Sequence, residues 1–211
     1  CETLQRFRLA ARGHGKAQPP DSERARVERY FDPLPFWYEG VASDASAADT
    51  DGAGNYPLSA ITQRPMFMYH SWGSQNAWLR QIAARNFLYL HPQTASRYGV
   101  HDEDWIWIAS PLGRIRVQAK LHAATAPGTV WTWNAIGKHK GAWKLSGNAP
   151  ESREGFLLNH LISELLPAAD HAHRYANADP VTGQAAWFDL RVRIETDAEP
   201  RVPGHRIEPI A

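Results

Sequence analysis

Residues 88–121, LYLHPQTASRYGVHDEDWIWIASPLGRIRVQAKL, carry the clearest structural pattern in this chain. Pro92 in a first turn and Gly99 after a last turn bracket one short helix. From residue 104 onward, apolar and polar residues alternate through a hairpin that we expect to turn at residues 111–113. Successive side chains of a strand point to opposite faces, so the hairpin is predicted to have one buried and one solvated face.

The second strand of this hairpin shows the alternation most plainly. The predicted inward set is Ile115, Val117, Ala119 and Leu121, and the predicted outward set is Arg114, Arg116, Gln118, Lys120 and His122. We therefore expect the arginines of this strand to be in contact with water.

Shorter elements flank the hairpin on both sides. Upstream, PLSAIT (57–62) and NFLYLH (86–91) are typical of short buried strands, separated by the helix-like stretch QNAWLRQIAA. Downstream, the sequence predicts a strand at APGTVWTW, an amphipathic helix at residues 153–166 and a closing strand at residues 185–196. Strands dominate, which predicts a mainly β fold with short helices inserted.

The N-terminal part has a different composition. Residues 1–30 are rich in Arg and Glu and predict helical pieces joined by a polar turn, GHGKAQPPDSE. A proline-stiffened aromatic stretch, FDPLPFWYEG, and a small-residue, Asp-rich linker at residues 41–55 follow. We expect residues 1–55 to be a helical and linker segment from the end of a preceding domain, and residues 56–211 to form one domain.

The totals limit the possible function classes. With 23 Lys and Arg against 22 Asp and Glu, the chain lacks the broad basic surface of a duplex-binding protein, and we expect no nucleic-acid partner. No run of about 18 apolar residues occurs, so no helix is predicted to span a membrane and the chain is expected to be soluble. Cys1 is the only cysteine, which excludes an internal disulfide. A start at Cys rather than Met indicates a piece of a longer polypeptide.

Catalytic and metal-binding motifs are weak. His171 and His173 come nearest to a metal-ligand pair, but no carboxylate or cysteine stands at a zinc-type spacing, which favours solvated loop histidines. Ser71 and Ser74 lack the strand-turn-helix elbow of a serine hydrolase. GAGN and GKHKG lack the spacing of phosphate-binding glycine loops.

Four polar clusters lie at element boundaries, beside Gly or Pro. They are residues 56–82, residues 131–141, Asn159 with His160, and residues 176–188. Their amides, hydroxyls and imidazoles, with nearby backbone N–H groups, suit a large ligand with many acceptors and a phosphate or two. Each cluster alone is better explained as capping of turns and helices, but their joint occurrence in this order favours a ligand.

Taken in order, these segments resemble the C-terminal dinucleotide-binding domain of the molybdenum bis(pterin guanine dinucleotide) oxidoreductases, the dimethyl sulfoxide reductase superfamily. The resemblance runs from about Tyr56 to Ile194 and rests on PLSAITQR with YHSWGSQN, on residues 88–121, and on DPVTGQAAWFDLRVRI. FDPLP resembles the passage into this domain in the branch of thiosulfate, polysulfide and tetrathionate reductases, sulfite dehydrogenases and phenylacetyl-CoA oxidoreductase. The resemblance implies a six-stranded double-psi β-barrel with short peripheral helices that covers the pterin ends of a cofactor bound mainly by upstream domains.

By this resemblance, a set of polar side chains would face the cofactor. Arg64 would offer a charge-assisted fork to an anion, and imidazole or hydroxyl groups would hydrogen-bond the pterin ring. The implied cofactor-binding residues are Thr62, Gln63, Arg64, Tyr69, His70, Ser71, Asn76, Asn159, His160 and Gln184. Their alternative roles are turn capping and surface ion pairing. Gln63 stands where Gly is frequent in the family, and Asp189 stands where some relatives carry a phosphate-binding Lys.

The chemistry itself is expected outside this chain, which should not be catalytic alone. The resemblance implies molybdenum bis(molybdopterin guanine dinucleotide) in the intact enzyme and an iron–sulfur cluster upstream, because this chain has neither the cysteines for a cluster nor an identifiable metal ligand. The implied partners are upstream domains of the same polypeptide and an iron–sulfur electron-transfer subunit, with or without a membrane anchor subunit. The resemblance does not distinguish a cytoplasmic from a periplasmic complex. The alternative is a stand-alone double-psi barrel without pterin, in which the polar set would scatter instead of converging on one concave face.

Overall fold

A computed structural model describes residues 1–35, 56–70, 72–73, 76–134, 136, 155–162, 179, 181–182, 184 and 190–209. Two compact units make up the chain. One contains Cys1–Ser43 and Ser163–Ala186, and the other contains Asp44–Ile162 and Trp187–Ala211. We call them the helical unit and the barrel unit.

The helical unit contains α1 (Glu2–Ala11) and α2 (Asp21–Tyr30), which pack on each other. The pair buries Ala11, Val27 and Tyr30. Arg24 of α2 donates a 2.7 Å hydrogen bond to the Ala11 carbonyl, a group that the end of α1 would otherwise leave unpaired. The prediction of helical pieces joined by a polar turn is confirmed.

Six strands close into a barrel in the barrel unit. They are β1 (Leu58–Gln63), β2 (Leu88–Leu90), β3 (Trp105–Ser110), β4 (Gly113–Leu121), β5 (Thr129–Trp133) and β6 (Arg191–Thr196). The cyclic order is β1-β5-β2-β4-β3-β6, with β1–β5 and β2–β4 parallel and the other four neighbouring pairs antiparallel. The predicted mainly β, six-stranded barrel is confirmed.

Short helices connect these strands, as predicted. They are α3 (Ala77–Ile82), α4 (Pro92–Arg97) and a 3-10 helix at Leu158–Leu161. At the start of α4, His91 Nδ1 accepts a 3.0 Å hydrogen bond from the Gln93 N–H. After its end, Gly99 has a φ of 65°, which glycine adopts without steric cost.

The barrel core follows the inward alternation of the hairpin. Val117 and Ala119 are fully buried, and Ile115 is 1% exposed. They pack with apolar residues from every strand of the barrel, including Leu58, Leu88, Ile108, Val130 and Val192. Burial of each such large apolar side chain stabilises the fold by about 1.5–3 kcal/mol.

The outward face of the hairpin is solvated only in part: Arg114 is 42% exposed, as predicted, but Arg116 and the outward residues of β3 are not. All six residues of β3 are buried, and Arg116 on β4 is 2% exposed. The cause is a seventh strand that the sequence did not reveal, β7 (Arg206–Pro209), with the loop at residues 197–205 before it. β7 pairs with the half of β4 that β2 leaves open, at residues 113–116.

The predicted amphipathic helix at residues 153–166 is wrong over its described part, residues 155–162. Only Leu158–Leu161 is helical, as one 3-10 turn, and Leu157 and Ile162 on either side are extended. Phe156, Leu158 and Leu161 are all buried in the barrel core. The apolar residues that suggested a long helix reach the core from an extended segment and the 3-10 turn that follows it.

In the part of the chain that the structure describes, no helix has the length and apolar character needed to cross a bilayer.

Candidate functional site

The parallel strands β1 and β5 end at the same edge of the barrel. Gln63, the last residue of β1, pairs with Trp133, the last residue of β5. Beyond this pair, the Asn134 N–H donates a 2.9 Å hydrogen bond to the Gln63 carbonyl. The segments that leave the two strands therefore start side by side, which places Thr62, Gln63 and Arg64 next to Asn134.

Asn86 is a buried hub at this edge, and no motif in the sequence predicted a role for it. Its Nδ2 lies 2.9 Å from Trp133 O, 2.8 Å from Ile136 O and 3.1 Å from Phe156 O. Its Oδ1 accepts from Thr132 Oγ1 at 2.8 Å and from the Trp133 N–H at 3.2 Å. Asn86 is 1% exposed, and both its amide nitrogen and its amide oxygen have hydrogen-bond partners, as buried polar groups require. The hub joins the end of β5 to the segment that leads into the 3-10 helix.

The loop after β1 presents a cation beside aromatic rings. Thr62 is half-buried, whereas Gln63 and Arg64 are exposed. The guanidinium carbon of Arg64 lies 5.8 Å from the centre of the Tyr69 ring, which lies 4.8 Å from the His70 ring. An exposed guanidinium is able to bind an anion in a bidentate manner.

The sequence on either side of Arg64 contains no acidic residue that would neutralise its charge. Residues 52–101 contain four Arg and no Lys, Asp or Glu. Since neutral and cationic side chains alone surround Arg64 along the chain, this stretch favours an anionic ligand.

Asn76 performs the capping role considered as its alternative. Its Oδ1 accepts a 2.9 Å hydrogen bond from the Trp78 N–H at the start of α3. The helix packs through Leu79 on Met68, and a Cβ on Gly73 would come within 3.1 Å of Leu79 Cδ1. A side chain at position 73 would therefore require Leu79 or Met68 to shift slightly, because α3 lies close to the loop after β1.

Asn159 and His160 are exposed on the 3-10 helix, whose other two residues point into the core. Gln184 lies in the helical unit. Its carbonyl accepts a 2.7 Å hydrogen bond from the Asp179 N–H, across a turn in which Asp179 Oδ1 accepts from the Val181 and Thr182 N–H groups. The convergence of these three residues with Arg64 stays a prediction. Ser71, Asp189, His171 and His173 lie outside the described residues.

A group of large apolar side chains near this site is exposed. Met66 is 100% exposed, Trp72 and Trp78 are each 79% exposed, Ile82 is 64% exposed and Tyr69 is 60% exposed. We call these five residues, three of which are aromatic, the aromatic face. The Tyr69 and Trp72 rings lie 6.3 Å apart, and large exposed apolar side chains that lie close together are typical of contact surfaces.

Residues 58–173 match the molydopterin dinucleotide binding domain family. The chain belongs to this family. Over 99% of its length it is 55% identical to a sulfite dehydrogenase polypeptide of Allochromatium vinosum, of which it covers 21%. Over 78% of its length it is 29% identical to a tetrathionate reductase polypeptide of Salmonella typhimurium, of which it covers 17%. The predicted membership of the dimethyl sulfoxide reductase superfamily is confirmed.

The fold has a counterpart among solved structures. Acetylene hydratase from Pelobacter acetylenicus superposes with a TM-score of 0.51 at 24% identity, over 79% of this chain and 22% of that protein. The molydopterin-binding chain thus spans about a fifth of the length of these relatives.

The donors at the barrel edge fit a pterin dinucleotide. A guanidinium, an imidazole, a phenol and an amide suit its phosphates and ring heteroatoms. Asn134 Oδ1 is a buried acceptor without a partner among the described residues, as expected of a group that meets a ligand N–H. Within the same described ranges, no three His, Cys, Asp or Glu side chains cluster as metal ligands would.

Proposed function

We propose that this chain is the C-terminal cofactor-covering domain of the catalytic subunit of a molybdenum oxidoreductase that carries molybdenum bis(molybdopterin guanine dinucleotide). The observation that carries the proposal is the exposed Arg64 at the shared end of β1 and β5, within a stretch free of carboxylates. Family membership favours this function over a stand-alone barrel without pterin.

Each polar residue has a proposed part in holding the cofactor. Arg64 binds a phosphate, with Thr62 and Gln63 beside it, while Tyr69 and His70 face the pterin ring. Ser71, Asn76, Asn159, His160 and Gln184 complete the proposed set. The cofactor supplies two-electron redox chemistry at its metal, and the barrel supplies hydrogen bonds, orientation and exclusion of water.

The rest of the enzyme is proposed from the relatives. Residues 1–55 would end a preceding domain, and upstream domains would bind most of the cofactor and an iron–sulfur cluster. The proposed partners are one subunit that transfers electrons through iron–sulfur clusters and another that anchors the complex to a membrane. The identity to a sulfite dehydrogenase favours a sulfur oxyanion as substrate.

Expression of the complete polypeptide tests this function. We expect about one molybdenum and two pterins per polypeptide, together with sulfite-dependent reduction of an artificial electron acceptor. Purified polypeptide that contains neither molybdenum nor pterin would overturn the proposal. Cofactor without activity on sulfite would overturn the substrate alone.

A further inference from the structure

Asn134 carries a buried oxygen that the fold leaves without a hydrogen bond. The residue follows β5 and is half-buried, but its Oδ1 is shielded from water and has no donor among the described residues. A buried carbonyl oxygen without a donor is destabilising, and such groups are rare in folded proteins. This oxygen is not one of the sites implied by the family resemblance.

The backbone around Asn134 is held firmly. Its N–H donates to the Gln63 carbonyl at 2.9 Å, and the preceding residue, Trp133, is bound through both its N–H and its carbonyl by Asn86. Asn86 is itself buried and fully hydrogen-bonded. The backbone that carries this side chain is therefore held in place, which reduces the rearrangement needed for its oxygen to accept a hydrogen bond from a ligand.

The neighbourhood of Asn134 indicates the chemistry of that ligand. A carbonyl oxygen only accepts, so the ligand must supply an N–H or O–H group there. Arg64 follows Gln63, whose carbonyl binds Asn134, and it offers a cationic site for an anionic part of the same molecule. A heterocycle that carries both ring N–H donors and a phosphate meets both requirements.

We propose that Asn134 Oδ1 accepts a hydrogen bond from the 2-amino-4-oxopyrimidine ring, which pterin and guanine share. The proposal rests on the cofactor-binding function above and adds a contact to it. This contact requires the edge of the ring that carries N–H groups to face Asn134, whereas the contact of Arg64 with a phosphate does not depend on how the ring is oriented.

Two substitutions in the complete polypeptide test this contact. Asn134→Leu keeps the approximate volume and removes the acceptor, so bound pterin should be lost at least about tenfold faster during dilution. Cofactor-free Asn134→Leu should melt at the same or a higher temperature than cofactor-free wild type, because an unpaired buried oxygen is gone. Asn134→Asp keeps the acceptor and should retain more pterin than Asn134→Leu.

The opposite pattern would overturn the contact. If Asn134→Leu retains pterin as wild type does, or if it lowers the melting temperature of the cofactor-free polypeptide, Asn134 has a structural role only. Wild-type polypeptide without pterin would instead contradict the proposed function. Loading with the form of the cofactor that lacks the guanine nucleotide separates the two rings: a defect that persists assigns the contact to pterin, and a defect that disappears assigns it to guanine.

Discussion

The guanidinium carbon of Arg116 lies 5.1 Å from the centre of the Trp105 ring, and both side chains are buried. The same guanidinium binds Asp197 and donates 2.8 Å hydrogen bonds to the carbonyls of Glu199, Val202 and Gly204. One cation thus organises the loop that precedes β7. Because this loop covers the hairpin at Arg116, that part of the outward face of β4 is closed to water.

Loss of the Arg116 side chain should strongly destabilise the barrel unit. Arg116→Met leaves the Asp197 carboxylate and three carbonyls without their donor, and we expect a loss of about 3–5 kcal/mol in the free energy of unfolding. Arg116→Lys should recover only part of it, since an ammonium lacks the planar fork. Urea unfolding measures the loss, and hydrogen exchange should show β7 opening first.

Arg114 is the matched control for that substitution. It lies two residues earlier on the same strand, covers Trp107 at 4.4 Å and pairs with Glu195 and Glu208, but its side chain is 42% exposed. Arg114→Met should cost at most about 1 kcal/mol, because surface ion pairs contribute little. Equal effects of the two substitutions would contradict the role assigned to Arg116.

Acid should weaken the same clamp through Asp197. Burial alone would raise the pKa of this carboxyl, but hydrogen bonds from Arg116 and from the Glu199 N–H, with the charges of Arg116 and Arg206, lower it overall. A pKa lowered by folding stabilises the fold above the ordinary aspartate value of about 4, and this stabilisation is lost as pH falls through the folded-state pKa. We expect stability measured against pH to fall below about pH 4, and Asp197→Asn to be less stable at neutral pH but less sensitive to acid. An identical acid slope in wild type and Asp197→Asn would exclude this origin.

The hairpin shows which features the local sequence predicts and which depend on distant parts of the chain. Its turn and inward residues follow from alternation along one segment, and the pairing of Ser110 with Gly113 agrees with the predicted turn. The burial of Arg116 depends on residues that come more than 80 positions later, which no local period encodes. In the same way, Asn86 and Asn134 acquire their contacts only when the barrel closes and β1 pairs with β5 in parallel. Arg64 and Asn76 stand out in the loop sequence as polar residues, but their cofactor-binding roles come from the family resemblance and stay predictions.

Substitution of Asn86 should separate the strand end from the 3-10 helix. Asn86→Leu leaves the carbonyls of Trp133, Ile136 and Phe156 without their shared donor, and each buried unpaired group costs about 1–3 kcal/mol. We expect the free energy of unfolding to fall by more than 2 kcal/mol, or about the cost of two such groups. Asn76→Ala, which removes an exposed helix cap, should cost only about 1 kcal/mol. Chemical unfolding of the cofactor-free polypeptide compares the two, and a smaller effect at Asn86 would refute the hub.

Removal of the Arg64 charge should reduce cofactor content. Arg64→Ala in the complete polypeptide loses a charge-assisted contact of about 1.5–3 kcal/mol, which corresponds to roughly 10-fold to 100-fold weaker retention. Arg97→Ala is the control, because Arg97 is also exposed and lies in the same carboxylate-free stretch, on α4. Molybdenum and pterin content, measured after dialysis at low and high salt, should fall for Arg64→Ala alone. Equal cofactor content in both variants would remove Arg64 from the site.

The aromatic face should be covered in the complete polypeptide. Trp72 and Trp78 are each 79% exposed in this chain, although indole rings gain free energy when they leave water. Hydroxyl-radical oxidation followed by mass spectrometry should show both rings protected in the folded enzyme, with the unfolded polypeptide setting full reactivity. The double variant Trp78→Gln and Ile82→Gln should loosen the barrel, so that limited proteolysis releases it faster. Leu112→Gln, at a 40% exposed position on the hairpin turn, should leave proteolysis unchanged. Trp72 and Trp78 reacting as fast in the enzyme as in the unfolded polypeptide would show that the aromatic face stays open to water.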